Sequence, residues 1–251
     1  MKIYTKSISE TTIKELIKKI KTGKYKNIGY EIIRKEIIKH LTNNPKMIGA
    51  LDKANALKQL VKSVKKSLYK GIGVFAKEKE NLSVKERDYD VYHALFSITG
   101  VPKKIVDLGS GMNPLYYKHL GCTPEYAAYE IDNKCVKKIN EFFANEKING
   151  KAYCKDIMQI KELPKADVYF LFKLLESIET SKSHKTSEEL IKRIPAKWII
   201  ASFSTKTLSG KQMNVPRRRW IELMLDRLSY EYRIIETSNE MFYAIRAGIT
   251  I

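Results

Sequence analysis

Acidic residues follow three short apolar segments in the middle of the chain. Asp107 closes the segment KIVD, Glu130 closes YAAYE, and Asp156 comes shortly after KAYC. If these segments are parallel β-strands, their carboxyl ends meet at one edge of a sheet, where open α/β sheets bind ligands. A carboxylate at the end of the second strand accepts hydrogen bonds from ribose hydroxyls, and one after the third strand can accept the amino group of an adenine. The alternative use of such acids is to cap helices.

The turn after the first segment, LGSGMNPL, contains Gly109 and Gly111, which allow a ligand to approach the backbone closely. A dinucleotide-binding turn needs a third glycine where Pro114 stands, so that a pyrophosphate can sit on the helix N-terminus. The GxxxxGK[ST] pattern of a phosphate-binding loop is also missing. A ligand with ribose and adenine but no phosphate fits better, which points to S-adenosylmethionine and methyl transfer.

Segments with the patterns of strands and helices alternate after Pro102. The predicted strands are KIVDLG, YAAYEID, KAYCKDI, ADVYFLFKLL and KWIIASFS, and the predicted helices are PLYYKHLG, NKCVKKINEFFANEKI and RRRWIELMLDRLS. This alternation predicts an α/β fold with a doubly wound, Rossmann-like and mostly parallel sheet. The segments EYRIIETSN and EMFYAIRAG predict an antiparallel C-terminal hairpin at its edge.

The chain before Pro102 predicts helices only. The segment ETTIKELIKKIKTGKY has apolar residues at helical spacing, with Thr11 or Thr12 as its cap and Gly23 as its end. The segment GYEIIRKEIIKHLTNNP repeats this pattern, and ERDYDVYHALFSITG is a further candidate helix. The segment NALKQLVKSVKKSLYKGIG lies between these two and also predicts a helix. One face of this helix is expected to carry Leu57, Leu60, Val61, Val64 and Leu68.

The composition restricts the partner and the compartment. Lysine and arginine number 47 against 28 acidic residues, a formal net charge of +19. Such an excess attracts a polyanion, most commonly nucleic acid, although a lysine-rich solvated surface is the alternative. No apolar stretch is long enough to span a membrane, and no secretion signal is visible. The three cysteines form no CxxC pair, so we expect reduced thiols in a cytoplasmic protein.

With these residues in view, the chain resembles the class I methyltransferases. More narrowly, it is similar to the aminoglycoside-resistance methyltransferases that modify guanine N7 in small-subunit ribosomal RNA. The resemblance covers roughly residues 80 to 248. Its motifs are SVKERDYDVYHALF, IVDLGSGMNPL with Ser110 in place of the family's cysteine, AYEID, FLFKLLESIE, ASFSTKTLSGK and NEMFYAI.

The resemblance implies roles for individual residues. Arg87 would meet the carboxylate of the cofactor's methionine, Glu130 its ribose and Asp156 its adenine. The implied cofactor-binding residues are Arg87, Asp107, Gly109, Gly111, Asn113, Glu130, Ile131, Asp156, Ile157 and Phe172. The implied catalytic residues are Phe172, Lys173, Ser202 and Lys206, and the implied RNA-binding residues are Lys206, Lys211, Arg217, Arg218 and Arg219.

The resemblance also implies an organisation and a partner. Residues 1–80 would form a basic, helical RNA-binding subdomain, and residues 81–251 the S-adenosylmethionine-binding methyltransferase domain. The expected partner is ribosomal RNA in the small (30S) subunit, and the expected state of the protein is a monomer. We expect no metal ion and no membrane association.

Guanine N7 carries a lone pair and no proton, so an in-line attack on a sulfonium methyl needs positioning and no general base. A cytosine-C5 enzyme would need a reactive cysteine in a Pro-Cys or Thr-Cys context, which none of the three cysteines has. An exocyclic-amine enzyme would show Asp/Asn-Pro-Pro-Tyr/Phe after the fourth strand, where this chain has FKLL. These absences weaken both alternatives and agree with the N7 chemistry that the resemblance implies.

Two alternatives to this function stay open at the level of sequence. The three consecutive arginines Arg217 to Arg219 replace acidic positions of the family, so the target nucleotide and the acceptor atom are open. Transfer RNA or a ribose 2′-hydroxyl is one alternative, with Lys85, Lys173, Lys206 and Glu240 as a loose catalytic set. A non-catalytic RNA-binding protein with the same fold is the other.

Overall fold

The structure is a computed structural model that describes residues 8–72, 87–179, 183–207 and 211–247. A seven-stranded sheet forms its centre, in the order β3-β2-β1-β4-β5-β7-β6. The strands are β1 Lys104–Leu108, β2 Glu125–Glu130, β3 Gly150–Cys154, β4 Ala166–Phe172, β5 Ala196–Ser204, β6 Glu231–Glu236 and β7 Glu240–Arg246.

The sheet confirms the predicted fold class. Strands β3, β2, β1, β4 and β5 are parallel to one another. Strand β7 lies antiparallel between β5 and β6, as expected for a C-terminal hairpin. The strand order reverses between β1 and β4, and ligands of doubly wound folds bind at such a switch point. The turn that follows β1 is therefore in the position of a binding site.

Helices cover both faces of the sheet and form the N-terminal part. They are α1 Glu10–Ile20, α2 Tyr30–Asn43, α3 Pro45–Ile48, α4 Ala54–Ile72, α5 Val91–Thr99, α6 Asn133–Asn145, α7 Leu175–Ile178, α8 Lys185–Arg193 and α9 Arg219–Arg227. Short 3₁₀ helices span Gly23–Tyr25, Asn113–Leu120 and Ile157–Gln159. In the part of the chain that is described, no helix combines the length and apolar character needed to cross a membrane.

Three local predictions differ from the structure. Ser9 caps α1 in place of a threonine, because its hydroxyl accepts a hydrogen bond from the Thr12 N–H at 3.1 Å. The predicted helix PLYYKHLG is present, but as a 3₁₀ helix interrupted by the non-helical dihedral angles of Tyr116. The candidate helix ERDYDVYHALFSITG begins only at Val91. Arg87 consequently lies outside α5, just before the turn that precedes it.

The N-terminal helices have a hydrophobic core of their own. Leu60, Val64 and Leu68 are buried on one face of α4, as the spacing predicts, against apolar residues of α1 and α2. This core reaches the sheet through Ile131 and Cys154, which pack against it. The predicted division into residues 1–80 and 81–251 stays a prediction, because residues 73–86 lie outside the described residues.

Candidate active site

The turn after β1 is hydrogen-bonded to the carboxyl end of β2. The N–H groups of Gly109 and Ser110 donate to the Tyr129 carbonyl at 2.9 and 3.1 Å, and the Gly111 N–H donates to Glu130 Oε2 at 2.9 Å. Two residues that the sequence assigns to one ligand, Gly111 and Glu130, are therefore in contact. The parallel register of β1 and β2 places them at the same edge of the sheet.

Both glycines of the turn have positive φ angles, of 64° at Gly109 and 51° at Gly111. A Cβ atom at Gly109 would lie 2.6 Å from Leu174 Cδ1, so a side chain at this position would collide with Leu174. At Gly111 an added Cβ would have no neighbour within 4 Å. The turn therefore leaves open space beside the Glu130 carboxylate, and a side chain at Gly111 would enter it.

Glu130 is a half-buried carboxylate whose orientation is fixed by the backbone. Its Oε2 accepts from the Gly111 N–H, and its Oε1 accepts from the N–H groups of Ile131 at 2.7 Å and Asp132 at 3.2 Å. Burial raises the pKa of Glu130, and the three N–H groups oppose that rise. Because each carboxylate oxygen can accept two hydrogen bonds, Oε2 keeps a lone pair for a ribose hydroxyl.

Asp107 is more deeply buried than Glu130, and one of its carboxylate oxygens accepts no hydrogen bond within the described part of the chain. It is 1% exposed, and its Oδ2 accepts from Asn113 Nδ2 at 2.8 Å and from the Tyr126 hydroxyl at 2.7 Å. Among the described residues, Asp107 Oδ1 and the buried Ser110 hydroxyl have no hydrogen-bond partner. Burial raises the pKa of Asp107 to about 6. Three further buried atoms without a partner lie on other described residues, Glu179, His184 and Trp198. The two at the glycine turn are the ones that a polar ligand group beside Glu130 could pair with.

Arg87 and Glu240 form a buried ion pair below this turn. The Arg87 guanidinium donates from Nε to Oε2 and from Nη2 to Oε1, each at 3.0 Å, and its side chain is 2% exposed. The Arg87 Nη1 atom donates to Asn113 Oδ1 and to the Tyr92 hydroxyl, and the Phe172 ring lies 4.4 Å from Cζ. Most N–H groups of Arg87 are thus engaged inside the protein, and its contact with a cofactor carboxylate stays a prediction.

Glu240 also contacts β5, through the side chain of Ser202. Burial by itself raises the pKa of Glu240, but the charges of Arg87 and Lys173 and the hydrogen bonds from Arg87 and Ser202 hold the pKa below its usual value. The Ser202 hydroxyl donates to Glu240 Oε1 at 2.5 Å, and Ser202 is fully buried. The Ser202 hydroxyl is thus already paired with Glu240, and its catalytic role stays a prediction.

Asp156 caps the 3₁₀ helix Ile157–Gln159, which is the alternative role of the strand-end acids. Its Oδ1 accepts from the Met158 N–H at 3.0 Å and its Oδ2 from the Gln159 side chain at 2.7 Å, at the start of the 3₁₀ turn that begins with Ile157. Ile157 is 6% exposed and packs in the sheet's core. Contact of Asp156 and Ile157 with an adenine stays a prediction.

The end of β4 forms the other wall of the site. Phe172 is buried, and Lys173 follows it with a left-handed φ of 53°. Its N–H donates to the Ser202 carbonyl at 3.0 Å, which keeps β4 and β5 paired beyond the last residue of β4. Left-handed residues other than glycine are uncommon and are concentrated at functional sites. Lys173 is half-buried, and its place beside a target base stays a prediction.

The predicted RNA-binding residues fall into two groups. Arg218 is engaged internally, because it donates to Glu176 at 2.7 Å and to the Ser204 carbonyl at 3.1 Å. Arg217 is exposed and holds Glu222 through bonds of 2.8 and 2.9 Å. The exposed residues Lys211 and Arg219, with half-buried Lys206, complete the predicted set. Arg218 therefore braces the segment after β5, and a direct RNA contact is less available to it than to Lys211 and Arg219.

The comparisons with known proteins agree with this architecture. The family model described as "Ribosomal RNA methyltransferase (FmrO)" matches residues 32–244. The chain is 21% identical over 164 residues to a 16S rRNA (guanine(1405)-N(7))-methyltransferase of Proteus mirabilis, and 25% identical over 160 residues to one of Micromonospora rosea. Each alignment covers 62% of this chain and 58% of the relative, so the chain spans less than two thirds of the length of these curated relatives.

Among solved structures, the fold is similar to that of the 16S rRNA methyltransferase RmtF in complex with S-adenosyl-L-homocysteine. The TM-score is 0.71 at 18% identity, over 96% of this chain and 100% of that one. At 18% sequence identity, this similarity shows a shared fold and nothing further. The family match covers most of the chain, and it shows that the protein belongs to the ribosomal RNA methyltransferase (FmrO) family.

Proposed function

We propose that the protein is an S-adenosyl-L-methionine-dependent methyltransferase that modifies N7 of a guanine in small-subunit ribosomal RNA. The observation that carries the proposal is the convergence of Gly111, Glu130 and Asp107 at the switch point of the sheet, with open space and unpaired polar atoms beside them. Membership of the family and the printed names of its relatives support the substrate class.

The residues present fit the proposed cofactor. Glu130 would hold the ribose hydroxyls through its free lone pair, and Gly111 leaves the room that the nucleoside needs. Asp107 Oδ1 and the Ser110 hydroxyl would meet the polar methionine end, since an ionised carboxylate attracts an ammonium group. When bound, the cofactor supplies an electrophilic methyl group on a sulfonium.

The protein's own task in this reaction is positioning. Guanine N7 has no proton to lose, so no side chain has to act as a general base. Phe172 and Lys173 at the end of β4 are the residues that we assign to the target base, with Lys173 donating to guanine O6 or to a neighbouring phosphate. Holding the guanine N7 atom in line with the sulfonium methyl group can accelerate methyl transfer greatly without a covalent enzyme intermediate.

The RNA side of the proposal rests on charge. The net charge of +19 supplies the salt-dependent attraction that folded RNA requires, and exposed Lys211 and Arg219 lie on the segment that follows the site. We infer that the partner is the small ribosomal subunit in the cytoplasm and that the protein acts as a monomer. Aminoglycoside susceptibility of a host that expresses the protein gives the physiological readout.

The experiment is transfer of a labelled methyl group to isolated ribosomal subunits. Protein and tritiated S-adenosylmethionine are incubated with 30S subunits, 50S subunits and transfer RNA, and the labelled RNA is tested for cleavage by aniline. We expect label in 30S subunits and cleavage at 7-methylguanine in the decoding region. Label confined to transfer RNA, or label on a ribose, would refute the proposed acceptor. The arginine run at Arg217 to Arg219 makes a different RNA site the second candidate.

A further inference from the structure

One peptide group links the N-terminal helices to the Glu130 carboxylate. This is the peptide between Ile131 and Asp132. Its carbonyl oxygen accepts a hydrogen bond from the Gly29 N–H at 3.1 Å, and its N–H donates to Glu130 Oε1 at 3.2 Å. Because a peptide group is planar and rigid, the position of the Gly29 N–H fixes the direction of the N–H that meets Glu130.

The contact extends along two segments of the chain, residues 27–29 and residues 131–133. The Asn133 N–H donates to the Asn27 carbonyl at 2.9 Å, and Ile28 and Asp132 form an antiparallel bridge between these two bonds. Ile28 is 2% exposed and belongs to the N-terminal core, against which Ile131 also packs. The segment Asn27–Gly29 is therefore anchored in the helices on one side and bonded to the Glu130 loop on the other.

At Gly29 a larger residue would meet neighbouring side chains, whereas its backbone conformation is open to any residue. Its φ of −54° is open to any residue, but a Cβ atom would lie 2.6 Å from Cys154 Sγ and 3.3 Å from Ile32 Cδ1. The Cys154 thiol itself donates to the Ile131 carbonyl at 3.6 Å. Gly29 and Cys154 thus share the space above that carbonyl, and a larger residue at either position would displace it.

We propose that the segment Asn27–Gly29 is a positioning element of the cofactor site, which holds Glu130 in the orientation that binds the ribose. The inference rests on the proposed function, because it takes Glu130 as the ribose ligand. It assigns to the N-terminal helices a part in cofactor affinity that is separate from any contact with RNA. Hydrogen bonds in series across one peptide also strengthen one another, which adds to the effect of geometry.

The test is a set of paired substitutions in the full chain, with S-adenosylmethionine affinity measured by calorimetric titration. Gly29→Ala should weaken binding at least about fivefold, the lower end of couplings between sites. Cys154→Ala should bind within about twofold of the unmodified protein, because the Gly29 N–H still holds the Ile131 carbonyl and the long thiol contact adds little. The double variant Gly29→Ala/Cys154→Ala makes room for the new methyl group and should recover affinity to within about twofold.

A further variant removes the hydrogen bond and also fills the direction in which it pointed. In Gly29→Pro/Cys154→Ala the fixed φ near −65° suits this position, but the N–H donor is lost and the ring's Cδ would press on the Ile131 carbonyl that now accepts from Gly29. We expect its affinity to stay low. Thermal unfolding of each variant serves as the structural readout, because a role in stability alone would lower the unfolding temperature without changing the cofactor affinity.

The outcomes are distinct. Recovery in the alanine pair without recovery in the proline pair would support the positioning role. Affinity within twofold of the unmodified protein in Gly29→Ala, whatever its unfolding temperature, would overturn the inference alone. Absence of S-adenosylmethionine binding by the unmodified protein would instead refute the proposed function.

Discussion

Removing the countercharge of Arg87 is expected to destabilise the protein strongly. Glu240→Gln conserves the side chain's volume but exchanges a carboxylate oxygen for an NH₂ group, which faces the Arg87 donors that now bond at 3.0 Å. The arginine then stays charged at 5% exposure without its paired carboxylate. Breaking a buried ion pair costs about 3–5 kcal/mol. We expect about 3 kcal/mol, because Asn113 and Tyr92 still accept from Nη1.

The assay is urea unfolding at neutral pH, in which the midpoint should fall and the slope should stay constant. The double variant Arg87→Met/Glu240→Leu removes both charges and should recover most of the lost stability. Lys137→Ala, which breaks an exposed pair with Glu141, should have a much smaller effect. A loss below about 1 kcal/mol in Glu240→Gln, or a double variant less stable than the single one, would refute the reasoning.

Three further predictions concern the glycine turn, the deep carboxylate and the RNA surface. Gly111→Ala should weaken S-adenosylmethionine binding, whereas Gly121→Ala, which carries the same left-handed strain in open space away from the site, should cost similar stability and leave binding unchanged. Burial raises the pKa of Asp107 to about 6, so the folded state binds more protons than the unfolded state between about pH 4 and 6. Its contribution therefore makes stability fall as the pH rises through that window, and Asp107→Asn should flatten the dependence in unfolding experiments. Lys211→Glu combined with Arg219→Glu should weaken binding to 30S subunits and reduce its salt dependence, and an unchanged slope in a salt titration would contradict that assignment.

The sequence is sufficient to predict the sheet, because its information is local. Buried strands alternate with helices after Pro102, and this alternation permits few arrangements other than a doubly wound sheet. The apolar face of α4 at Leu60, Val64 and Leu68 is likewise visible from its spacing. Glycine spacing and strand-end acids locate the turn that contacts Glu130.

The side-chain pairing within the site is not local and could not be predicted. Arg87 and Glu240 are separated by 153 positions, and Tyr92 and Tyr126 join their network only in the folded chain. The one signal in the sequence was the acid Glu240 at the start of an apolar strand, since a buried charge requires a partner. The roles of Arg218 and Asp156 were open for the same reason: a charged side chain looks identical in sequence whether it serves a ligand, a cap or a brace.

Whether Glu130 holds the cofactor can be measured by calorimetric titration of S-adenosylmethionine into the unmodified protein and into Glu130→Ala. We expect one binding site in the unmodified protein and, in Glu130→Ala, a loss of affinity of at least about tenfold, since hydrogen bonds to a charged group contribute about 1.5–3 kcal/mol. Equal affinity in the two proteins, or no binding by either, would contradict it.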